Sequence, residues 1–452
     1  MAINIIPIET PTLGDRSYLA TDGETAFVVD PQRDIDRMLD LAASRGVMIR
    51  HVFETHIHND YVTGGLALAR ATGAAYHVNA EDPVRFEHSP VRDGDVIEIG
   101  PRMRVRVVAT PGHTHTHLSY VLESGGETVA VFTGGSLLYG STGRPDLLGP
   151  DHTDALAHAQ YRTAQKLASD LPDGTEVYPT HGFGSFCSST QSDASASTIG
   201  RERKINPVLT QDEREYVETL LAGLGAYPAY YAHMAPLNAE GPDAPDLSEP
   251  HRADAAELRR RLEAGEWVVD LRSRKAFAAG HLGGSFNFGL DGAFSTYLGW
   301  LIPWGTPVSL LAETPDEIAE AQRELVRIGI DRPASAVTGD LSTWTGGEPL
   351  HEVGLAGFAE LGAVRHHRPV VVLDVRRDQE WEESHLPGAV HIPLHELLSR
   401  MEEVPDGEVW THCASGYRAA IAGSFLSAAG RRVVVIDDDF ANAGRSGLEV
   451  TG

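Results

Sequence analysis

Thr411-His412-Cys413-Ala414-Ser415-Gly416-Tyr417-Arg418 follows an apolar run, Val409-Trp410, and precedes a helical one, Ala419-Ala420-Ile421-Ala422. The pattern predicts a strand-to-helix turn with Cys413 at its apex. Backbone N–H groups at a helix start point toward an anion, and the helix dipole favours negative charge. A thiolate held there is stabilised and becomes a nucleophile at neutral pH. Arg418 adds a fixed cation one turn on, and Ala414, Ser415, Gly416 and Tyr417 make up the expected anion-binding loop. A cysteine buried only as a small hydrophobe needs no Gly and Arg at this spacing. Cys413 and Arg418 are therefore the expected catalytic pair.

Upstream, the same scaffold is present twice. Val269-Asp270-Leu271-Arg272 recurs as Leu373-Asp374-Val375-Arg376, and His281-Leu282-Gly283-Gly284 as His385-Leu386-Pro387-Gly388. Phe277 and Trp381 fall at the same spacing. So long a period means tandem domains rather than a solenoid. Each unit reads as strands alternating with helices, which implies a parallel sheet covered by helices. The Cys-x-x-Gly-x-Arg loop, the Asp-x-Arg strand end and the His-Leu-x-Gly turn resemble rhodanese sulfurtransferases, whose cysteine carries sulfur as a persulfide. Aligning Val308 with Val409 puts Ala312 opposite Cys413 and Glu317 opposite Arg418. The first loop, Ala312-Glu313-Thr314-Pro315-Asp316-Glu317, has no thiol and three carboxylates, so that unit is expected to be inactive.

The 452 residues suggest two to four domains. Lys and Arg total 37 against 64 Asp and Glu, a net charge of −27. Nucleic acid and anionic membranes are poor partners for such a chain. No apolar run is long enough to span a bilayer, and residues 1–7 lack a basic region followed by an apolar core, so no signal peptide is expected. The two cysteines, Cys187 and Cys413, form no disulfide framework, which points to a reducing cytoplasm.

In the first half, Val52-Phe53-Glu54-Thr55 reads as a strand end leading into His56-Ile57-His58-Asn59-Asp60-Tyr61. Residues two apart in extended chain share a side, so His56 and His58 can converge on a metal. His113, in Thr110-Pro111-Gly112-His113-Thr114, and His181, in Tyr178-Pro179-Thr180-His181-Gly182, also follow β-like runs. This constellation resembles the metallo-β-lactamase superfamily, which implies an αββα sandwich with metal at its strand ends. Gly143-Arg144-Pro145-Asp146-Leu147 and Ser197-Thr198-Ile199-Gly200-Arg201-Glu202 are similar to the persulfide dioxygenase branch, related to glyoxalase II. Some members of that branch are fused to two rhodanese domains, the first without its cysteine.

The resemblance implies one Fe(II) per chain, with zinc the alternative, and oxidation of a low-molecular-weight persulfide to sulfite with O2. The family's iron ligands fall on His56, His113 and position 135, which is Gly here, so His58 is expected to serve as third ligand. Tyr61 replaces a further histidine, which removes a ligand for a second metal. Asp60 and His181 remain for supporting catalytic roles, and His115 and His117 either compensate or face solvent. Cys187 is read either as a sulfur acceptor near the metal or as a small buried hydrophobe.

The expected fold class is α/β: a metallo-β-lactamase-like domain over 1–225, a linker arm over 226–252, an inactive rhodanese-like domain over 253–353 and an active one over 354–452. The expected function is a persulfide dioxygenase that also transfers sulfane sulfur through Cys413. Alternatives are a glyoxalase II-type thioester hydrolase fused to a sulfurtransferase, or a first domain that only binds the thiol carrier. Expected partners are a thiol persulfide, thiosulfate or sulfite, and O2, in a homo-oligomer.

Overall fold

The computed structural model describes residues 3–190 and 194–452. They form two compact units. One runs up to Asp246 and includes Leu325–Gly329; the other is Leu247–Glu324 with Ile330–Gly452.

The first unit is a four-layer sandwich. One six-stranded sheet runs, in spatial order, Asn4–Thr10, Asp15–Thr21, Thr25–Val29, Met48–Phe53, Ala75–Asn79 and Ser89–Val91. The other runs Ser197–Thr198, Glu176–Pro179, Glu127–Gly134, Leu118–Ser124, Met103–Ala109 and Val96–Gly100. The period-two alternation of a strand sorts its side chains between two cores. Tyr18 and Ala20 enter the layer between the sheets with Phe27, Phe53, Val105, Tyr120 and Phe132. Leu19, between them, faces the opposite way with Val28 and Val52, onto Met38 of helix Asp36–Arg45 and Leu66 of helix Gly65–Thr72. On the far side, Val121, Val131 and Val177 pack under Ala157, Ala164 and Leu167 of helix Pro150–Asp170. Each such Val or Leu contributes about 1.5–3 kcal/mol of burial.

Candidate chemistry sits where strands end. Asp30, Glu54 to His58, Gly135 and His181 follow Thr25–Val29, Met48–Phe53, Glu127–Gly134 and Glu176–Pro179, and His113 follows Met103–Ala109. Within the stretch read as an arm, Tyr231–Glu240 is helical and belongs to the first unit.

The second unit holds two parallel sheets. One has the order Phe286–Asn287, Trp267–Asp270, Val308–Ala312, Ser335–Thr338; the other Gly354–Ala356, Arg432–Ile436, Glu408–His412, Val371–Asp374, Val390–His391. Their registers coincide. Trp267 lies opposite Val308 as Val371 lies opposite Val409, and Asp270 opposite Leu311 as Asp374 opposite His412. Ala312 is therefore the structural counterpart of Cys413. Among the described residues, no helix is long and apolar enough to cross a membrane.

Candidate functional sites

His56, His113 and His181 bring one ring nitrogen each within 4.8 Å of one another, all buried. The Nε2 atoms of His56 and His181 are 3.4 Å apart. Two ligands about 2.1 Å from a tetrahedral ion stand at about that separation. His113 Nε2 is buried with no hydrogen-bond partner. Its Nδ1–H donates to the Arg144 carbonyl at 2.8 Å. His181 Nδ1–H donates to Asp15 Oδ1 at 2.9 Å, with Asp60 Oδ2 3.1 Å away. The donor set fits a divalent ion: bare nitrogens converge, and carboxylates stand behind them. The domain thus carries a metal-binding site of histidines and aspartates.

The electrostatics set His181 apart from the other two rings. Burial and then the nearby His181 hold His113 down at about 3, so it is a neutral ring. Burial and the surrounding histidines likewise push His56 well below its ordinary range. His181 goes the other way: burial opposes the charge, but Asp60 and Asp15 raise it to about 9. Asp15 itself is pushed up to about 7 by burial and by Asp60.

His58, expected as third ligand, turns elsewhere. Its Nε2 lies 2.9 Å from the Tyr61 hydroxyl, 3.2 Å from Glu54 Oε2 and 3.3 Å from Asp30 Oδ1. Burial disfavours its charge, yet Asp30 and then Glu54 raise it to about 10. Its Nε2 is taken up by a carboxylate nest, although its ring centre stays 4.1 Å from that of His56. Two further clusters, His58 with Asp60 and His181, and His58 with Asp30 and Glu54, have metal-like spacing and are rich in carboxylate. His117 is also spoken for. Its Nδ1 meets Thr110 Oγ1 at 2.8 Å and its Nε2 accepts the Gly135 N–H at 3.0 Å. His115 is exposed and pairs with His152 at 3.2 Å.

Cys187 is fully buried. Burial, then Asp60 and Asp15, push its thiol well above the ordinary range. Its carbonyl accepts the Arg144 N–H at 2.8 Å. Arg144 in turn grips Asp146 through Nε and Nη2 at 2.7 and 2.8 Å. The Gly-Arg-Pro-Asp motif therefore props His113 from behind.

Sequence reasoning did not single out Asp15, Asp30, Thr55 or Asn238. Asp30, at φ +50, accepts the Thr55 N–H and hydroxyl, both at 2.7 Å, and the Thr180 hydroxyl. These bonds hold a strained backbone in place. Its signal was legible: Asp30 ends the apolar run Ala26-Phe27-Val28-Val29. Asn238 had none. From helix Tyr231–Glu240 its amide donates to the carbonyls of His58 at 2.9 Å and Tyr61 at 2.8 Å.

In the second unit, Cys413 is 1% exposed and follows strand Glu408–His412. Helix Tyr417–Ala428 starts just beyond, capped by Gly416 at φ +95, a conformation glycine adopts without strain. The Gly416 N–H donates to Cys413 Sγ at 3.2 Å. Arg418 is not a free cation: its two terminal nitrogens clasp Glu380 at 2.6 and 2.7 Å. Burial opposes ionisation of Glu380, but Arg418 holds it down at about 2. Ala414 accepts the Phe440 N–H at 2.8 Å, and Ser415 is exposed. Tyr417 sends its hydroxyl to the Gly289 carbonyl of the first repeat at 2.8 Å, so only its backbone remains to the loop. From that repeat Trp300 stacks on His395, 5.0 Å between ring centres.

Such a sandwich with imidazoles at its strand ends, and a parallel sheet presenting a cysteine at a helix start, define two known classes of domain. Residues 13–181 match the metallo-β-lactamase superfamily, and residues 254–346 and 358–443 each match the rhodanese-like domain. The chain joins a metallo-β-lactamase domain to two rhodanese-like domains. A hydroxyacylglutathione hydrolase of a Polaromonas species is 33% identical over 171 residues, covering 37% of this chain and 62% of that protein, less than two thirds of its length. The mitochondrial persulfide dioxygenase ETHE1 of Bos taurus is 28% identical over 212 residues, covering 45% of this chain and 75% of that protein. A metallo-β-lactamase structure from Staphylococcus aureus subsp. aureus COL aligns with a TM-score of 0.68 at 26% identity, over 75% of this chain and 100% of that one.

Proposed function

We propose that the chain is a sulfur-handling enzyme that oxidises a low-molecular-weight persulfide in its first domain and transfers sulfane sulfur through Cys413. One persulfide, one O2 and one water give one thiol, one sulfite and two protons; four electrons pass from the sulfane sulfur to O2. Fe(II), one per chain, is the assigned metal, with zinc the alternative. When bound, it supplies a Lewis acid with open coordination positions. Imidazoles of the buried pocket would hold it, and Asp15 and Asp60 orient His181.

In the second step the Cys413 thiolate attacks the sulfane sulfur of thiosulfate. A new S–S bond forms at Sγ as the S–S bond of thiosulfate breaks and sulfite leaves with the electron pair. A thiol then removes that sulfur as a persulfide and regenerates the thiolate. The Gly416 N–H steadies negative charge on Sγ.

The observation that supports oxidation over hydrolysis is Tyr61: it stands where the resemblance places a ligand for a second metal, and its hydroxyl lies 2.9 Å from His58 Nε2. The similarity to a hydroxyacylglutathione hydrolase favours thioester hydrolysis as the second reading. Oxygen uptake and sulfite release on glutathione persulfide, with thioester hydrolysis measured in parallel, separate the two. Matched oxygen loss and sulfite gain are expected; thioester turnover without oxygen uptake would assign hydrolysis.

A further inference from the structure

We propose that the metal of the first domain is held by three imidazoles, His56, His113 and His181, with Gly135 leaving the His113 ring the room it occupies. The inference rests on the proposed metal-dependent first domain and names its ligands.

Hydrogen-bond arithmetic sets each ring's tautomer. Thr55 has one hydroxyl proton, and it goes to Asp30 Oδ2 at 2.7 Å. Thr55 Oγ1 lies 2.9 Å from His56 Nδ1, so it accepts from Nδ1–H and leaves Nε2 without a proton. The Arg144 carbonyl takes the Nδ1–H of His113, and Asp15 takes that of His181. All three rings thus present Nε2 to one spot, each fixed by an oxygen partner behind it.

Gly135 is a steric requirement. A Cβ built there would stand 2.6 Å from His113 Cγ and overlap Cδ2. A Cβ on Gly143 would likewise stand 2.7 Å from His113 Nδ1. The ring packs against both glycines. A side chain at position 135 would require the His113 ring to shift from this place. With Gly at 135 the set consists of imidazoles alone, which bind an ion as uncharged ligands. Compared with a site containing a carboxylate, it leaves more of the ion's positive charge to an incoming anion such as a persulfide or thiolate.

The test uses the full chain and reads metal, not turnover. Wild-type protein, His181→Ala, His113→Ala and His58→Ala are stripped, reloaded with Fe(II), Zn(II) or Co(II), and assayed for bound ion. Melting curves check the fold. Loss of His181 or His113 should weaken binding by more than the roughly 10–100-fold that an outer partner costs. Loss of His58 should leave one ion per chain. Because a variant can fail to fold, X-ray absorption on the loaded wild type counts ligands independently, with three imidazoles expected. Metal held by His58 in place of His181, or a carboxylate in the coordination shell, overturns the ligand set and leaves the functional reading standing. A wild-type chain that takes up no ion overturns both.

Discussion

The two repeats of the second unit carry the same lock and different loops. Arg272 clasps Asp270 and reaches the Gly280 carbonyl; Arg376 clasps Asp374 and reaches the Ser384 carbonyl. His281 bonds the Phe277 carbonyl and stacks on its ring; His385 does the same with Trp381. The repeats part company after the central strand. There the second has Cys413 with Gly416 in a left-handed turn. The first has Thr314 and Glu317, whose carboxylate accepts the N–H groups of Glu313 and Thr314, both at 2.9 Å. That is a capping box, and it occupies the helix start with the chain's own anion. The scaffold is shared because the Asp–Arg lock and the sheet hold it, whereas the loop of six residues after the central strand differs.

This contrast can be broken in four ways. The largest effect is expected from Cys413→Ser, which should reduce thiosulfate-to-acceptor sulfur transfer to background with an unchanged melting curve; residual transfer would mean that the second loop is not the nucleophile's home. Next, Asp374→Ala and Asp270→Ala each strand a buried arginine and should each cost about 3–5 kcal/mol in urea denaturation. Unequal costs would show that the two locks are not equivalent.

The third test is pH. Glu380, held down at about 2 by Arg418, ionises more readily when folded than at the ordinary value of 4.5. The stability it contributes is therefore fully present above about 4.5 and is lost as pH falls toward 2. Glu380→Gln should flatten the stability curve in that window, and an unaltered slope would count against the pair. The first repeat has Ala312 and Glu317 at the positions of Cys413 and Arg418 and should contribute nothing comparable. The smallest effect is expected from the loop of the first repeat. Glu317→Ala should cost about 1 kcal/mol through the lost cap, and Ala312→Cys, in a Cys413→Ser chain, should leave transfer at background.

Much of the fold was legible. The repeat of Asp-x-Arg and His-Leu-x-Gly marked equivalent strand ends, and the strand registers coincide at those residues. The strand-end positions of His56, His113 and His181 were also readable, because apolar runs announce where strands stop. The direction of each ring was not. His56 and His58 sit two apart in the chain, yet Glu54 and Asp30 take up the Nε2 of His58.

Sequence alone determined what is local: where strands and helices alternate, which loop carries a thiol, and which carries three carboxylates. Tertiary structure decided the partners. His181 comes to His56 from 125 positions away, Asn238 reaches the carbonyl of His58 across 180, and Arg418 finds Glu380 across 38. The physical reason is that backbone periodicity follows from neighbours in the chain. The tautomer of a ring or the pairing of a guanidinium follows from whichever oxygen the folded chain brings within about 3 Å.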